Sequence, residues 1–151
     1  MIFDTHAHLD DRAFDEDRPA LLDALPTQGI RLVMNPGCSL ASSRAAAALA
    51  AQQDYVYAAV GSHPDAADEV TEAAIEAYRA MALGNPKVKA IGEIGLDYYW
   101  VKTPEARAFS RDFFDAQLSL AEELDLPAVV HDRDAHRDCL DIVRAHPGCR
   151  G

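Results

Sequence analysis

Phe3-Asp4-Thr5-His6-Ala7-His8-Leu9-Asp10 runs from a short apolar strand into two histidines separated by one residue. Side chains of extended backbone alternate between faces, so His6 and His8 are expected to point the same way and form an imidazole fork. Neutral imidazole is the commonest metal-binding side chain, and a fork at a strand end can hold a divalent ion with coordination positions left open. Taken alone, the pair is read equally well as two polar residues of an N-terminal loop. The strands that follow decide between these readings.

Outward from the fork the chain alternates two periodicities. Residues 2–5 read as a strand and 18–28 as a helix, with Leu21, Leu22 and Leu25 on one side and Gly29 just past its end. Residues 30–34 form a second apolar strand, Asn35-Pro36-Gly37 a turn, and 39–53 an alanine-rich helix. A third strand spans 56–60 and closes in Gly61-Ser62-His63-Pro64, and a helix follows over 71–81. A fourth strand spans 88–93. Thr103 and Pro104 then cap a helix of about twenty residues, whose buried stripe is expected at Ala106, Phe109, Phe113, Ala116, Leu120 and Leu124. A fifth strand spans 127–131 and a last helix 134–145.

Strand-helix units in strict alternation predict parallel strands joined by right-handed crossovers, an α/β class. The open doubly wound sheet and the closed (β/α)8 barrel of the TIM type share that pattern. Glycine-rich phosphate loops mark the first, and neither Gly-x-Gly-x-x-Gly nor Gly-x-x-x-x-Gly-Lys occurs in this chain. The barrel sets its chemistry at the C-terminal strand ends. Strand one is expected to end in His6 and His8, strand three at His63, strand four at Glu93 and strand five at His131. Groups far apart in sequence then meet at one edge as a metal centre. His136 and His146 fall on or after the last helix and read as surface residues.

Composition bounds the rest. A formal charge of -11 argues against non-specific binding to duplex DNA or anionic lipid, which depends on surplus Lys and Arg. A phosphate-bearing substrate stays open if a metal supplies local positive charge. Cys38, Cys139 and Cys149 are odd in number and widely spaced, which fits a reducing compartment better than a disulfide framework. No stretch approaches the ~20 apolar residues of a membrane span, and the start lacks a leader pattern, so a cytoplasmic protein with no membrane partner is expected.

Four stretches carry a family resemblance. Phe3-Asp4-Thr5-His6-Ala7-His8-Leu9-Asp10, Gly61-Ser62-His63-Pro64, Gly92-Glu93-Ile94-Gly95-Leu96-Asp97-Tyr98-Tyr99 and Val130-His131-Asp132-Arg133-Asp134-Ala135 together resemble the TatD family of metal-dependent deoxyribonucleases, within the amidohydrolase-type barrels. The resemblance implies a (β/α)8 barrel with two divalent ions, Mg2+, Mn2+ or Zn2+. His6 and His8 match positions that hold one ion, Glu93 the catalytic carboxylate that bridges both, and His131 a ligand of the second. It also implies phosphodiester hydrolysis at DNA 3′ ends, as a 3′ to 5′ exonuclease preferring single strands; no obligate protein partner is expected.

Around that centre, Arg133 offers a fork of donors suited to phosphate, or a surface ion pair. His63 can orient a phosphate, support a ligand from behind, or fix the turn before Pro64. Asp97 can hydrogen-bond a ligand histidine, and Asp4 reads as structural or as a support behind a ligand. Tyr98, Tyr99 and Trp100 are able to stack on bases or to sit in the core or at the rim.

The 151 residues hold five units where a barrel has eight strands. The sixth-strand histidine and eighth-strand aspartate implied by the resemblance are not among them. The expectation is therefore a single domain over 1–151, the N-terminal part of a truncated barrel with weak or no nuclease activity, whose open sheet needs a cover. Two other readings remain: a related barrel hydrolase opening a cyclic amide or lactone, and a non-catalytic fragment or interaction module.

Overall fold

The computed structural model describes residues 1–69 and 71–150. Its five parallel strands, β1 (Ile2–Asp4), β2 (Ile30–Pro36), β3 (Val56–Val60), β4 (Val88–Asp97) and β5 (Ala128–Arg133), lie in the order β1-β2-β3-β4-β5. Between and after them run α1 (Arg18–Ala24), α2 (Leu40–Gln52), α3 (Glu72–Gly84), α4 (Pro104–Glu123) and α5 (His136–Ala145). A doubly wound sheet reverses direction at a switch point, whereas strands that follow sequence order without reversal wind in one sense, as in a barrel. This is an α/β fold forming a five-strand arc of the (β/α)8 barrel. On the far side of β5, the Ala128 amide donates to the Arg150 carbonyl at 2.7 Å, and Pro127 and Arg150 form a parallel bridge.

The helices start where capping chemistry places them. Ser39, Thr71 and Thr103 each accept an amide from the first turn of α2, α3 and α4, which satisfies a donor with no partner inside the helix. The expected first helix, 18–28, is α-helical only to Ala24 and tightens into a 3-10 turn over Leu25–Gln28. Pro26 explains the change, since it lacks the N–H a continuing α-helix would use. The expected turn at Asn35-Pro36 is instead the end of β2, where these residues still pair with Ala58 and Ala59.

The stripe expected along α4 is rotated from the real one. Phe113 and Leu120 are buried, but Phe109 is exposed and so are Ala106 and Ala116. The buried face also carries Ser110 and Gln117. Gln117 is fully buried because its amide spans the Ser62 backbone, accepting from the amide at 2.8 Å and donating to the carbonyl at 3.1 Å. A hydrophobicity pattern cannot register a polar side chain whose partners lie on another strand. The core between sheet and helices is built from Val33, Val56, Val60, Ile91, Ile94, Leu96, Tyr78, Phe114 and Leu118. No helix among the described residues is long and apolar enough to cross a membrane.

Candidate metal centre

The histidine fork forms, but past the strand. β1 ends at Asp4, and His6 and His8 lie in irregular backbone held beside β2 by the Ala7 amide, which donates to the Met34 carbonyl at 3.0 Å. Asn35, buried on β2, donates to Asp10 Oδ1 at 2.7 Å, and Ser42 donates to Asp10 Oδ2 at 2.8 Å. Arg18 reaches back from α1 to the carbonyls of Leu9 and Asp11, both at 2.7 Å. This brace, not strand alternation, sets His6 Nε2 and His8 Nε2 3.1 Å apart with their rings at 75°.

Glu93 meets them from β4. The strand does not stop at Glu93 as expected but continues to Asp97, because Ile94 and Leu96 go on filling the core. From Ile91 to Ile94 the strand takes three steps against two on β5, from Ala128 to Val130. That extra residue is a bulge, a device that re-aims a side chain. The Glu93 amide leaves the ladder and donates to the Gly37 carbonyl at 2.7 Å. The carboxylate Oε2 lies 3.1 Å from His6 Nε2 and 3.5 Å from His8 Nε2, while Oε1 lies 3.1 Å from His131 Nδ1. His131 likewise sits inside its strand, since β5 runs on to Arg133. Gly95 makes the approach possible: it pairs with His131, and a Cβ there would lie 2.0 Å from the His131 carbonyl oxygen.

Two groups of potential ligands result, His6-His8-Glu93 and His63-Glu93-His131, each with its donor atoms within 4.8 Å of one another. The hydrogen-bond chemistry fits a cation. His8 Nδ1 faces the Pro36 carbonyl at 3.1 Å, an acceptor only, so that nitrogen carries the hydrogen and Nε2 presents its lone pair to Glu93. His131 uses the opposite tautomer: Nε2 faces Asp97 Oδ2 at 3.1 Å and Nδ1 is left facing Glu93. Lone pairs converging on a carboxylate call for positive charge between them, supplied by protons or by a metal.

The ionisation of the protein without metal shows the same demand. Hydrogen bonds to Cys38 and then Glu93 raise His8 to about 10 against the opposing effect of burial. Burial works to raise Glu93, yet the His8 hydrogen bond and the charges of His6, His63 and His131 outweigh it and bring the carboxyl down to about 2. Burial also opposes ionisation of Asp97, which the Trp100 amide and His131 nevertheless hold below the ordinary carboxylate range.

The other expected site residues divide. His63 is brought in: its ring packs edge-on against His131 at 4.1 Å, and its Nδ1 bonds Asp65 at 2.6 Å. Tyr98 is not. Its hydroxyl donates to Asp138 at 2.5 Å and its ring lies under Arg107. Arg133 stacks on Tyr99 at 3.9 Å and makes no ion pair among the described residues. Asp4 accepts the His6 amide at 3.1 Å, a structural contact. His136 is exposed, but His146 is not the surface residue expected: it is buried between Asp115 at 2.9 Å and Glu122 at 3.0 Å, because the turn after α5 folds back on α4.

Sequence reasoning missed the Asn35-Asp10 brace, the Gln117 clamp and Cys38, whose sulfur lies 3.9 Å from Glu93 Oε2 and 3.8 Å from His8 Nδ1. Only Asn35 left a signal, as a polar residue ending an apolar strand.

The model of the family described as TatD related DNase matches residues 3–151. The chain belongs to that family. YabD of Bacillus subtilis, described as an uncharacterized metal-dependent hydrolase, is 33% identical over 144 residues, covering 95% of this chain and 55% of YabD. A 3′-5′ ssDNA/RNA exonuclease TatD from Musicola paradisiaca is 33% identical over 147 residues, covering 95% of this chain and 53% of that protein. Among solved structures, YJJV, a TatD homologue of Escherichia coli, superposes with a TM-score of 0.85 at 29% identity, covering 96% of this chain and 56% of that one. A TatD family hydrolase from Entamoeba histolytica shares the fold with a TM-score of 0.87 at 21% identity, over 98% of this chain and 56% of that one. The chain thus spans about half the length of the curated relatives it matches. This is a metal-dependent hydrolase family.

Proposed function

We propose that residues 1–151 act as one domain contributing a two-metal site that hydrolyses phosphodiester bonds at the 3′ end of single-stranded DNA. One observation carries this reading: the two oxygens of Glu93 serve different histidine groups, Oε2 toward His6 and His8 and Oε1 toward His131. A carboxylate so placed can hold two cations side by side, which a phosphodiester, repelling its own nucleophile, requires. The relative named as an ssDNA/RNA exonuclease supports a nucleic-acid substrate.

His6 and His8 would hold one ion, His131 with His63 the other, and Glu93 both. When bound, divalent ions neutralise the phosphodiester and acidify the attacking water. The protein's own groups do the rest. Pro36 and Asp97 fix which nitrogen of His8 and His131 faces the centre. Asp65 does the same for His63 by holding its Nδ1. Arg133, free of carboxylate partners among the described residues, is placed to bind the strand's phosphates.

The test combines binding and turnover. Calorimetry with Mn2+ should give two sites in the chain and fewer in Glu93→Ala. A 5′-labelled single-stranded oligonucleotide should shorten slowly from its 3′ end in Mg2+, Mn2+ or Zn2+. A metal-loaded chain that opens a lactone or cyclic amide but neither binds nor cuts DNA would overturn the proposal.

A further inference from the structure

Beside the metal centre lies a cavity of about 620 Å³, walled by Pro64, Asp65, Trp100, Lys102 and Phe109 among others. That volume is in the range of small-ligand sites. Its aromatic walls stay in solvent: Trp100 is 64% exposed and Phe109 47%. Rings of this size exposed at the wall of a cavity offer faces on which a flat ligand can stack. The backbone at Trp100 is anchored by its amide, which donates to Asp97 Oδ1 at 3.0 Å, and the indole meets the Tyr99 ring edge-on at 4.7 Å.

The charge beside it selects the ligand further. In a chain of net charge -11, the Tyr99 ring carries Arg133 at 3.9 Å and Lys102 at 5.0 Å, and neither cation has an acidic partner among the described residues. A ligand both flat and anionic fits this pairing, and beside a phosphodiesterase site that ligand is a nucleotide. The cavity also adjoins the candidate chemistry. Its wall residue Asp65 bonds His63 at 2.6 Å, and Arg133 lies two residues beyond His131 on β5, about 7 Å along the strand.

We propose that this cavity is a stacking site for a nucleobase of single-stranded DNA, with Trp100 and Phe109 against the base and Lys102 and Arg133 on the flanking phosphates. It rests on the phosphodiesterase reading and adds to it the position of a nucleotide outside the scissile bond. Asp65 does not oppose the ligand, because its carboxylate is engaged by His63 and the base, not the phosphate, enters the cavity. Aromatic stacking tolerates every base, so the strand is held by its single-stranded character and not by its sequence.

Trp100 is the chain's single tryptophan and therefore its own reporter. Hexathymidylate is titrated into the chain in Mg2+, followed by tryptophan emission and, with a labelled strand, by anisotropy. Saturable quenching is expected, with none from an abasic hexamer of equal phosphate number. Trp100→Ala and Phe109→Ala should each weaken hexathymidylate roughly tenfold or more while Mn2+ binding, read by calorimetry, and the circular dichroism stay unchanged. Strand binding with unchanged emission and undiminished affinity in both variants would overturn the stacking site and leave the nuclease reading standing. Absence of strand binding by the metal-loaded chain, or preference for an acidic aromatic peptide over the strand, would overturn both.

Discussion

Asp97 Oδ2 lies 3.1 Å from His131 Nε2, and so Asp97, fully buried on β4, decides which nitrogen of a β5 histidine faces Glu93. A carboxylate behind a ligand imidazole fixes its tautomer and orientation and raises its basicity. Asp97→Asn keeps the shape but can present an amide donor to the same nitrogen. Metal affinity measured by calorimetry is expected to fall about 10- to 100-fold. Unchanged affinity would show that His131 does not bind metal through Nδ1.

Metal should stabilise the fold through Glu93. A ligand bound only by the native state adds about 2.7 kcal/mol at a hundredfold excess over its Kd. Denaturant unfolding of the wild-type chain should therefore shift to higher urea with Zn2+ and return with chelator. In Glu93→Gln, which retains the volume but lacks the charge shared by both histidine groups, the shift should be largely lost. A full shift in the variant would place the binding elsewhere.

The Gln117 amide closes two hydrogen bonds on the Ser62 backbone, at 2.8 and 3.1 Å, and thereby shapes the turn that presents His63. Gln117→Leu leaves a buried amide and carbonyl without partners. The expected cost is about 1 to 3 kcal/mol for each unpaired group, read by urea unfolding. A stability change under about 0.5 kcal/mol would mean that the turn finds other partners.

His146 should give the protein a pH-dependent component of stability. Burial works to lower its pKa, but hydrogen bonds to Glu122 and Asp115 overcome that and raise it above the ordinary 6.5. A folded-state pKa above the unfolded value means the contribution is fully present below pH 6.5 and fades as pH rises through the folded pKa. The wild type should therefore lose more of its urea midpoint between pH 6 and pH 9 than His146→Gln does. Equal losses in the two proteins would remove His146 from the account.

Gly95→Ala tests the contact between β4 and β5. The new methyl would fall 2.0 Å from the His131 carbonyl, at a backbone φ of 143° that side chains rarely adopt. Neither strand can yield without breaking the pairing that runs from Ile94–Val130 to Asp97–Arg133. Destabilisation beyond about 3 kcal/mol is expected by circular dichroism melts, with loss of metal binding. A variant of native stability would show that the two strands have room to separate here.

Much of this arrangement was legible in the chain itself. The alternation of strand and helix periods, the cap Thr103, and the gathering of His6, His8, Glu93 and His131 from separate units of one parallel sheet follow from local pattern. These are properties of neighbours in sequence: side-chain period, capping spacing, and the rule that parallel strands present their C-terminal ends together.

Tertiary structure decided what depends on partners distant in sequence. That Glu93 sits on a bulge within a strand ending at Asp97 is set by the register of β4 against β5. That the fork is braced by Asn35 and Asp10, that Gln117 and His146 are buried, and that Tyr98 turns to Asp138 depends on hydrogen bonds spanning 24 to 55 residues. A polar side chain is counted as exposed by any local rule, yet it is stably buried once a matching donor or acceptor arrives from another element, and only the folded chain brings that partner within 3 Å.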